Sequence, residues 1–177
     1  MTTTQVRPGC HVFNTKLGWM GIAWNEECLS RLTFGHTTEK SVLSRIPAGC
    51  SRTRRVPREY LTIEKQLKQY ARGDFVDFSH VQIDDADYTP FQRAVVDNCR
   101  QIAWGKTMTY GELAKAAGSP RAARAVGSVM SSNRFPIVVP CHRVVSSTGD
   151  RFGGFTAPGG VPMKKRMLIL ERDLVAN

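Results

Sequence analysis

The chain has 177 residues, 41% hydrophobic and 23% charged, with a formal net charge of +10. That composition fits a globular protein of one large or two small domains, and no apolar run approaches the ~20 residues that cross a bilayer. The opening stretch MTTTQVRPGC lacks the apolar core of a secretory signal, so a cytosolic protein (nuclear in a eukaryote) with no membrane partner is expected.

In chain order, HVFNTKLGWMGIAWNEECLSRLTFG alternates apolar and polar residues and reads as strands, broken at Lys16–Gly18 and at the polar Asn25–Glu27 turn. A polar loop with Arg52, Arg54 and Arg55 follows, and a solvated face is its plainest explanation. After Pro57, Tyr60, Ile63, Leu67 and Tyr70 recur at helical spacing, with Gly73 available to end the helix. FVDFSHVQID reads as another strand. The acidic, turn-rich DDADYTP places a domain boundary near residue 86.

Beyond the boundary the pattern is helical. Thr89 is a candidate N-cap, with Pro90 at the first helical position and Gly105 past the end. Two short helices are then expected, Thr109–Ala117 and about Arg121–Ser131, around the turn Gly118–Pro120, an arrangement that resembles a helix-turn-helix. The second is made mostly of small residues, which allow close approach to another surface or tight packing within the domain. Arg124 has no acid within one helical turn and is costly to bury unpaired.

Five cysteines, Cys10, Cys28, Cys50, Cys99 and Cys141, form an odd set without a CxxC pair. This argues against a disulfide scaffold and a cysteine-rich zinc ribbon, and free thiols are expected in a reducing compartment. Charge is uneven. Residues 1–85 carry 12 Lys/Arg against 9 Asp/Glu, and residues 86–177 carry 13 against 6. A basic second half suits a polyanionic partner, most commonly nucleic acid, although a basic protein can also simply be soluble.

The stretch VVPCHRVV, Val138–Val145, sets Cys141, His142 and Arg143 between valines. A nucleophilic cysteine needs its thiolate, which a neighbouring base or positive charge favours. Glu171, on an otherwise apolar helical face with Met167, Leu168 and Leu174, is a candidate to orient His142. The plain alternative is a buried strand cysteine. The segment Ser147–Gly160 holds five glycines and forms a loop able to approach a ligand closely.

PCHRVV, the preceding RAVGSVMSSNRFPIVV, the glycine loop and Glu171 resemble the O6-alkylguanine-DNA alkyltransferases, also called methylated-DNA–protein-cysteine methyltransferases. TPFQRAV and YGELAKAAG resemble them too. The likeness is close over residues 88–172 and weaker before. It implies an α+β fold. A ribonuclease-H-like α/β domain would span 1–86, and a mostly helical domain containing the helix-turn-helix would span 87–177.

The resemblance further implies repair of duplex DNA by single-turnover transfer of an alkyl group from O6-alkylguanine to Cys141, with O4-alkylthymine as a second substrate class. His142 would deprotonate Cys141 through a water, Glu171 would orient His142, and Asn133 would brace the turn before the cysteine. Arg124 would replace the flipped nucleotide in the stack. Tyr110, Ala123 and Gly127 would face DNA. Tyr110, the backbone at Val144, Phe155 and Thr156 would line the guanine pocket. The implied protein is a monomer that can cluster on DNA and needs no cofactor.

The sequence departs from the family in three places. Phe155 stands where many relatives carry tyrosine, the glycine segment looks two residues longer, and Asn25 and Ser30 fall where some relatives place zinc ligands. No metal is therefore expected. A Cys-His hydrolase, a non-catalytic lesion binder and a DNA-binding regulator with an incidental cysteine are the competing readings.

Overall fold

A computed structural model describes residues 8–26, 28–47, 50, 53, 55–147 and 152–172. Arg52 and Arg54 of the basic loop, Leu174, and residues 148–151 of the glycine segment lie outside these, while Arg55 is exposed. The chain divides into two compact units, Met1–Asp84 and Asp85–Asn177. Among the described residues no helix is long and apolar enough to cross a membrane.

The first unit is built on an antiparallel sheet of β1 (Gly9–Thr15), β2 (Gly18–Asn25) and β3 (Cys28–His36), in that order. Its turns fall where the alternation breaks. Gly18 closes the first hairpin at φ +95, and a Cβ there would stand 2.7 Å from the His36 carbonyl oxygen. Only glycine meets both demands. A short helix α1 (Glu39–Leu43), not anticipated, is capped by Thr38 and buries Val42.

Helix α2 (Arg58–Tyr70) buries Tyr60, Ile63, Leu67 and Tyr70. Tyr60 stacks on Trp24 of β2 with ring centroids 4.3 Å apart. Each such buried large side chain contributes roughly 1.5–3 kcal/mol.

The segment 75–84 is not the strand expected. It makes a single parallel bridge, Ile83 to Leu29. The Asp77 side chain accepts from the Ser79 amide at 2.8 Å, and Val81 N–H donates to Phe78 O at 3.1 Å. These local bonds turn the backbone. Phe78 and Val81 are buried while Phe75 is 66% exposed.

The second unit opens on helix α3 (Pro90–Arg100). Thr89 and Gln92 cap it reciprocally, and Val95, Val96 and Cys99 are buried. The helix stops at Arg100, well before Gly105, which has φ +68 in the following turn. Two-residue strands β4 (Met108–Thr109) and β5 (Val144–Val145) pair in parallel, Met108 with Val144. Helix α4 (Tyr110–Ala116) begins directly on β4, with Thr109 as its cap rather than its first residue. Helix α5 (Ala123–Ser131) follows after a turn, and α6 (Gly160–Arg172) closes the unit. The β4–β5 ladder sets the start of α4 beside the chain that has just passed through Cys141.

Candidate functional site

Cys141 is not a strand residue. It opens a 3-10 turn, Cys141–Arg143, that leads into β5. The approach is held by Asn133, just past α5. Its Nδ2 donates to Val139 O and its Oδ1 accepts from Phe135 N–H, both at 2.9 Å. Val139 N–H donates to Phe135 O at 2.7 Å and Cys141 N–H to Val139 O at 2.8 Å. Inside this knot Ile137 takes φ +76. A β-branched residue in that region stores about 1–3 kcal/mol of strain, which persists only where surroundings enforce it. Arg134, next to Asn133, forks onto both Asp87 oxygens at 3.1 and 2.6 Å.

Behind the cysteine lies a buried acid. His142 and Glu171 are both 0% exposed, and His142 Nε2 lies 2.6 Å from Glu171 Oε1. Arg143 Nε donates to Glu171 Oε2 at 2.9 Å and Nη2 donates to Oε1 at 3.1 Å. Its Nη1 donates to Ile102 O at 2.6 Å. Gly105 N–H adds a fourth donor to the carboxylate at 3.2 Å. Glu171 therefore joins α6, the cysteine turn and the loop after α3.

Charges in this cluster are ordered by that geometry. Burial alone would raise the Glu171 carboxyl, but the hydrogen bonds and charge of its partners outweigh it and hold it at about 2. We assign the countercharge to Arg143, which is bidentate, because burial lowers His142 below its ordinary value despite Glu171. An ionised carboxylate only accepts, so Nε2 of the neutral imidazole carries the proton and Nδ1 is its basic atom. Burial raises the Cys141 thiol, and a hydrogen bond with Asn133 and the Lys164 charge pull it back.

Cys141 is 7% exposed and reaches the surface through a cavity of about 620 Å³. Tyr110 and Gly111 of α4 line one side of it, and Ala123, Arg124 and Gly127 of α5 another. Gly154, Phe155 and Thr156 of the glycine segment close it. Seven of the eight residues expected to face DNA or substrate, counting Cys141 with them, thus share one cavity. Val144 does not line it: the residue is fully buried in β5 and presents its carbonyl elsewhere. Arg124 is exposed on α5. Gly153 has φ +63, and a Cβ there would press to 3.0 Å on the Tyr110 ring.

One buried group was not anticipated. Lys164 of α6 is 0% exposed, and its Nζ donates to Val144 O at 2.6 Å and Gly154 O at 3.4 Å. It lies 5.8 and 5.9 Å from the Tyr110 and Phe155 ring centroids. Burial lowers it to about 8. The signal was available: Lys164, Met167, Leu168 and Glu171 are all buried at three- and four-residue steps on one helix face.

Among the described residues no group of three His, Cys, Asp or Glu side chains could hold a metal ion. Asn25 Nδ2 donates to Asp84 at 2.6 Å. Chemically, the arrangement offers a recessed thiol, a neutral imidazole oriented by a carboxylate, and a nearby cation. It suits attack on an electrophilic carbon presented inside the cavity.

The sequence profile described as "6-O-methylguanine DNA methyltransferase, DNA binding domain" matches residues 90–173. A methylated-DNA–protein-cysteine methyltransferase of Methanosarcina acetivorans is 32% identical over 160 residues, covering 90% of this chain and 96% of that protein. One from Methanothermobacter thermautotrophicus is 42% identical over 106 residues, 59% of this chain and 57% of its own length. The crystal structure of Mycobacterium tuberculosis OGT in complex with DNA superposes with TM-score 0.75 at 29% identity, covering 93% of both chains. The O6-methylguanine-DNA methyltransferase of Pyrococcus kodakaraensis gives 0.69 at 28% identity, covering 93% of this chain and 99% of that one.

Proposed function

Since the chain belongs to the methylated-DNA–protein-cysteine methyltransferase family, we propose that it repairs duplex DNA by moving the alkyl group of O6-alkylguanine onto Cys141. O4-alkylthymine is the second substrate class. The observation that carries this is that Cys141 lines the cavity and is followed in the chain by His142, which is buried and held by Glu171.

The steps follow from the groups present. The thiol proton passes through a water to His142 Nδ1, and Glu171 holds the ring by Nε2. The thiolate attacks the alkyl carbon in line. A carbon–sulfur bond forms as the carbon–O6 bond breaks, and the freed electron pair returns to the guanine, which takes up one proton from solvent while His142 returns to solvent the one it received. The thioether has no route back to a thiol, so each molecule acts once. Asn133 acts by fixing the turn that presents the nucleophile.

A base inside a duplex cannot meet an in-line nucleophile, so it must be flipped at a cost of a few kcal/mol. We assign α4 and α5 as a helix-turn-helix laid in the minor groove, where Ala123 and Gly127 permit close approach. Arg124 fills the vacated stack, and Tyr110 faces the extruded nucleotide. The positive excess of residues 86–177 supplies sequence-independent attraction to phosphates. Residues 87–177 are the DNA-binding and transfer domain in this reading, and residues 1–86 a ribonuclease-H-like α/β domain.

Mixing the protein with duplex DNA containing O6-methylguanine tests the reading. The Cys141 peptide should gain one methylene in mass and saturate at one per chain. No adduct, or release of product beyond one equivalent, overturns it.

A further inference from the structure

We propose that Lys164 is a positioning residue for the transfer, whose ammonium ties β5 to the glycine-segment wall of the cavity and supplies the positive charge under which Cys141 reacts as a thiolate. The inference rests on the transferase reading of the cavity.

The geometry has three parts. First, the ammonium is fully buried and spans two stretches of chain, donating to Val144 O at 2.6 Å and to Gly154 O at 3.4 Å. Val144 ends the turn that begins at Cys141, and Gly154 lines the cavity. Second, its Nζ lies 5.8 and 5.9 Å from the ring centroids of Tyr110 and Phe155, both cavity-lining. A cation between two aromatic faces and two carbonyls is held in place without being neutralised. Third, the other positive charge near the thiol is spent: Arg143 is matched by Glu171 through two hydrogen bonds. Among the described residues no carboxylate pairs with Lys164. Burying an ammonium in this way is costly, and an apolar side chain would fill the same space more cheaply. The cost has a use if the charge faces a developing anion.

The titratable groups around Lys164 are few. Cys141, on the 3-10 turn, and Cys99, on α3, both favour its charged form, and it in turn favours the Cys141 thiolate. His142, on the same turn, is pushed lower by it. Tyr110, on α4, is raised above its ordinary value and ionises at higher pH. Arg143 is hydrogen-bonded to Glu171. With burial holding Lys164 at about 8, it is cationic at neutral pH and loses its charge on mild alkalinisation.

The reactive species is then the pair of thiolate and ammonium. Its population rises with pH as His142 becomes neutral and able to take the thiol proton, and falls as the lysine deprotonates. A cysteine acting alone would instead gain about tenfold in rate per pH unit up to its own pKa.

The test is the single-turnover rate of adduct formation on Cys141 from pH 6 to 10, for the wild-type protein, Lys164→Met and Lys164→Arg. Affinity for undamaged duplex reports retained fold. The wild-type rate should pass through a maximum and fall above about pH 8. Lys164→Met should react at least about tenfold more slowly at pH 7 and lose the alkaline fall, with duplex affinity unchanged. Lys164→Arg, whose cation does not titrate in this range, should keep activity through pH 10. A wild-type rate that climbs steadily to pH 10 overturns the proposal without needing either variant. So does a Lys164→Met profile parallel to the wild type. Absence of any adduct on the wild-type protein strikes the transferase reading instead.

Discussion

His142 Nε2 and Glu171 Oε1 lie 2.6 Å apart with neither side chain exposed. The pair fixes which imidazole nitrogen is basic and leaves the ring no freedom to turn. His142→Ala removes the base and should slow single-turnover transfer by about 10²–10⁴. Duplex affinity should stay within a few-fold, since His142 does not line the cavity. An unchanged transfer rate in that variant excludes the base role.

The same carboxylate makes stability depend on acidity. Glu171 titrates at about 2 in the folded chain against 4.5 ordinarily. A depressed carboxyl contributes stability above its unfolded pKa, and that contribution is lost as pH falls through the folded one. The loss should run from about pH 4.5 down to 2 and amount to about 3 kcal/mol. Denaturant unfolding at several pH values should show this slope. Glu171→Gln should flatten it while lowering stability at neutral pH, because Arg143 then keeps a buried charge without its partner.

Ile137 offers a check on strain. At φ +76 any side chain is penalised, whereas glycine is not. Both Ile137→Ala and Ile137→Gly lose burial. The glycine variant should nevertheless be the more stable of the two by about 1 kcal/mol in urea unfolding, the reverse of the usual order. The usual order would mean the turn relaxes to negative φ.

Arg124 separates flipping from chemistry. It is exposed on α5 and lines the cavity mouth. Arg124→Ala should slow transfer from duplex DNA about tenfold or more, while reaction with the free modified base changes little. Equal losses in both assays would contradict an inserted arginine.

Phe155 cannot donate a hydrogen bond to the departing O6, and its ring lies 5.9 Å from Lys164 Nζ. Phe155→Tyr adds a hydroxyl at the cavity wall and should raise the transfer rate about tenfold, less than the roughly 10²–10³ that a fully oriented donor supplies. A slower variant would show that the hydroxyl does not reach the leaving oxygen.

Local chemistry made much of this structure readable in advance. The period-two runs and Gly18 place β1 to β3, and Thr89 with Pro90 places the start of α3. Glu171 stood out as an acid on an apolar face, and it is buried among partners as that pattern demands. Arg143, set between valines in the sequence, contacts both an acid and a backbone carbonyl.

What escaped depends on contacts distant in sequence or on competition within a few residues. Asp77 and Ser79 bend a stretch whose apolar content looked like a strand. Arg134 finds Asp87 across 47 positions, a pairing no local pattern encodes. Lys164 was missed because lysine is ordinarily a surface residue, although its helical phase with Glu171 placed it inside.

The four donors on Glu171 also impose an order in time. A ribosome delivers Cys141 and His142 well before Glu171, which follows His142 by 29 positions. Until α6 docks, the emerging chain carries an ordinary cysteine beside a freely turning imidazole. The carboxylate that orients the imidazole and the ammonium proposed as countercharge arrive together, both on α6. On the proposed single-turnover reading, an incomplete site thus does not expose the one cysteine it has to spend.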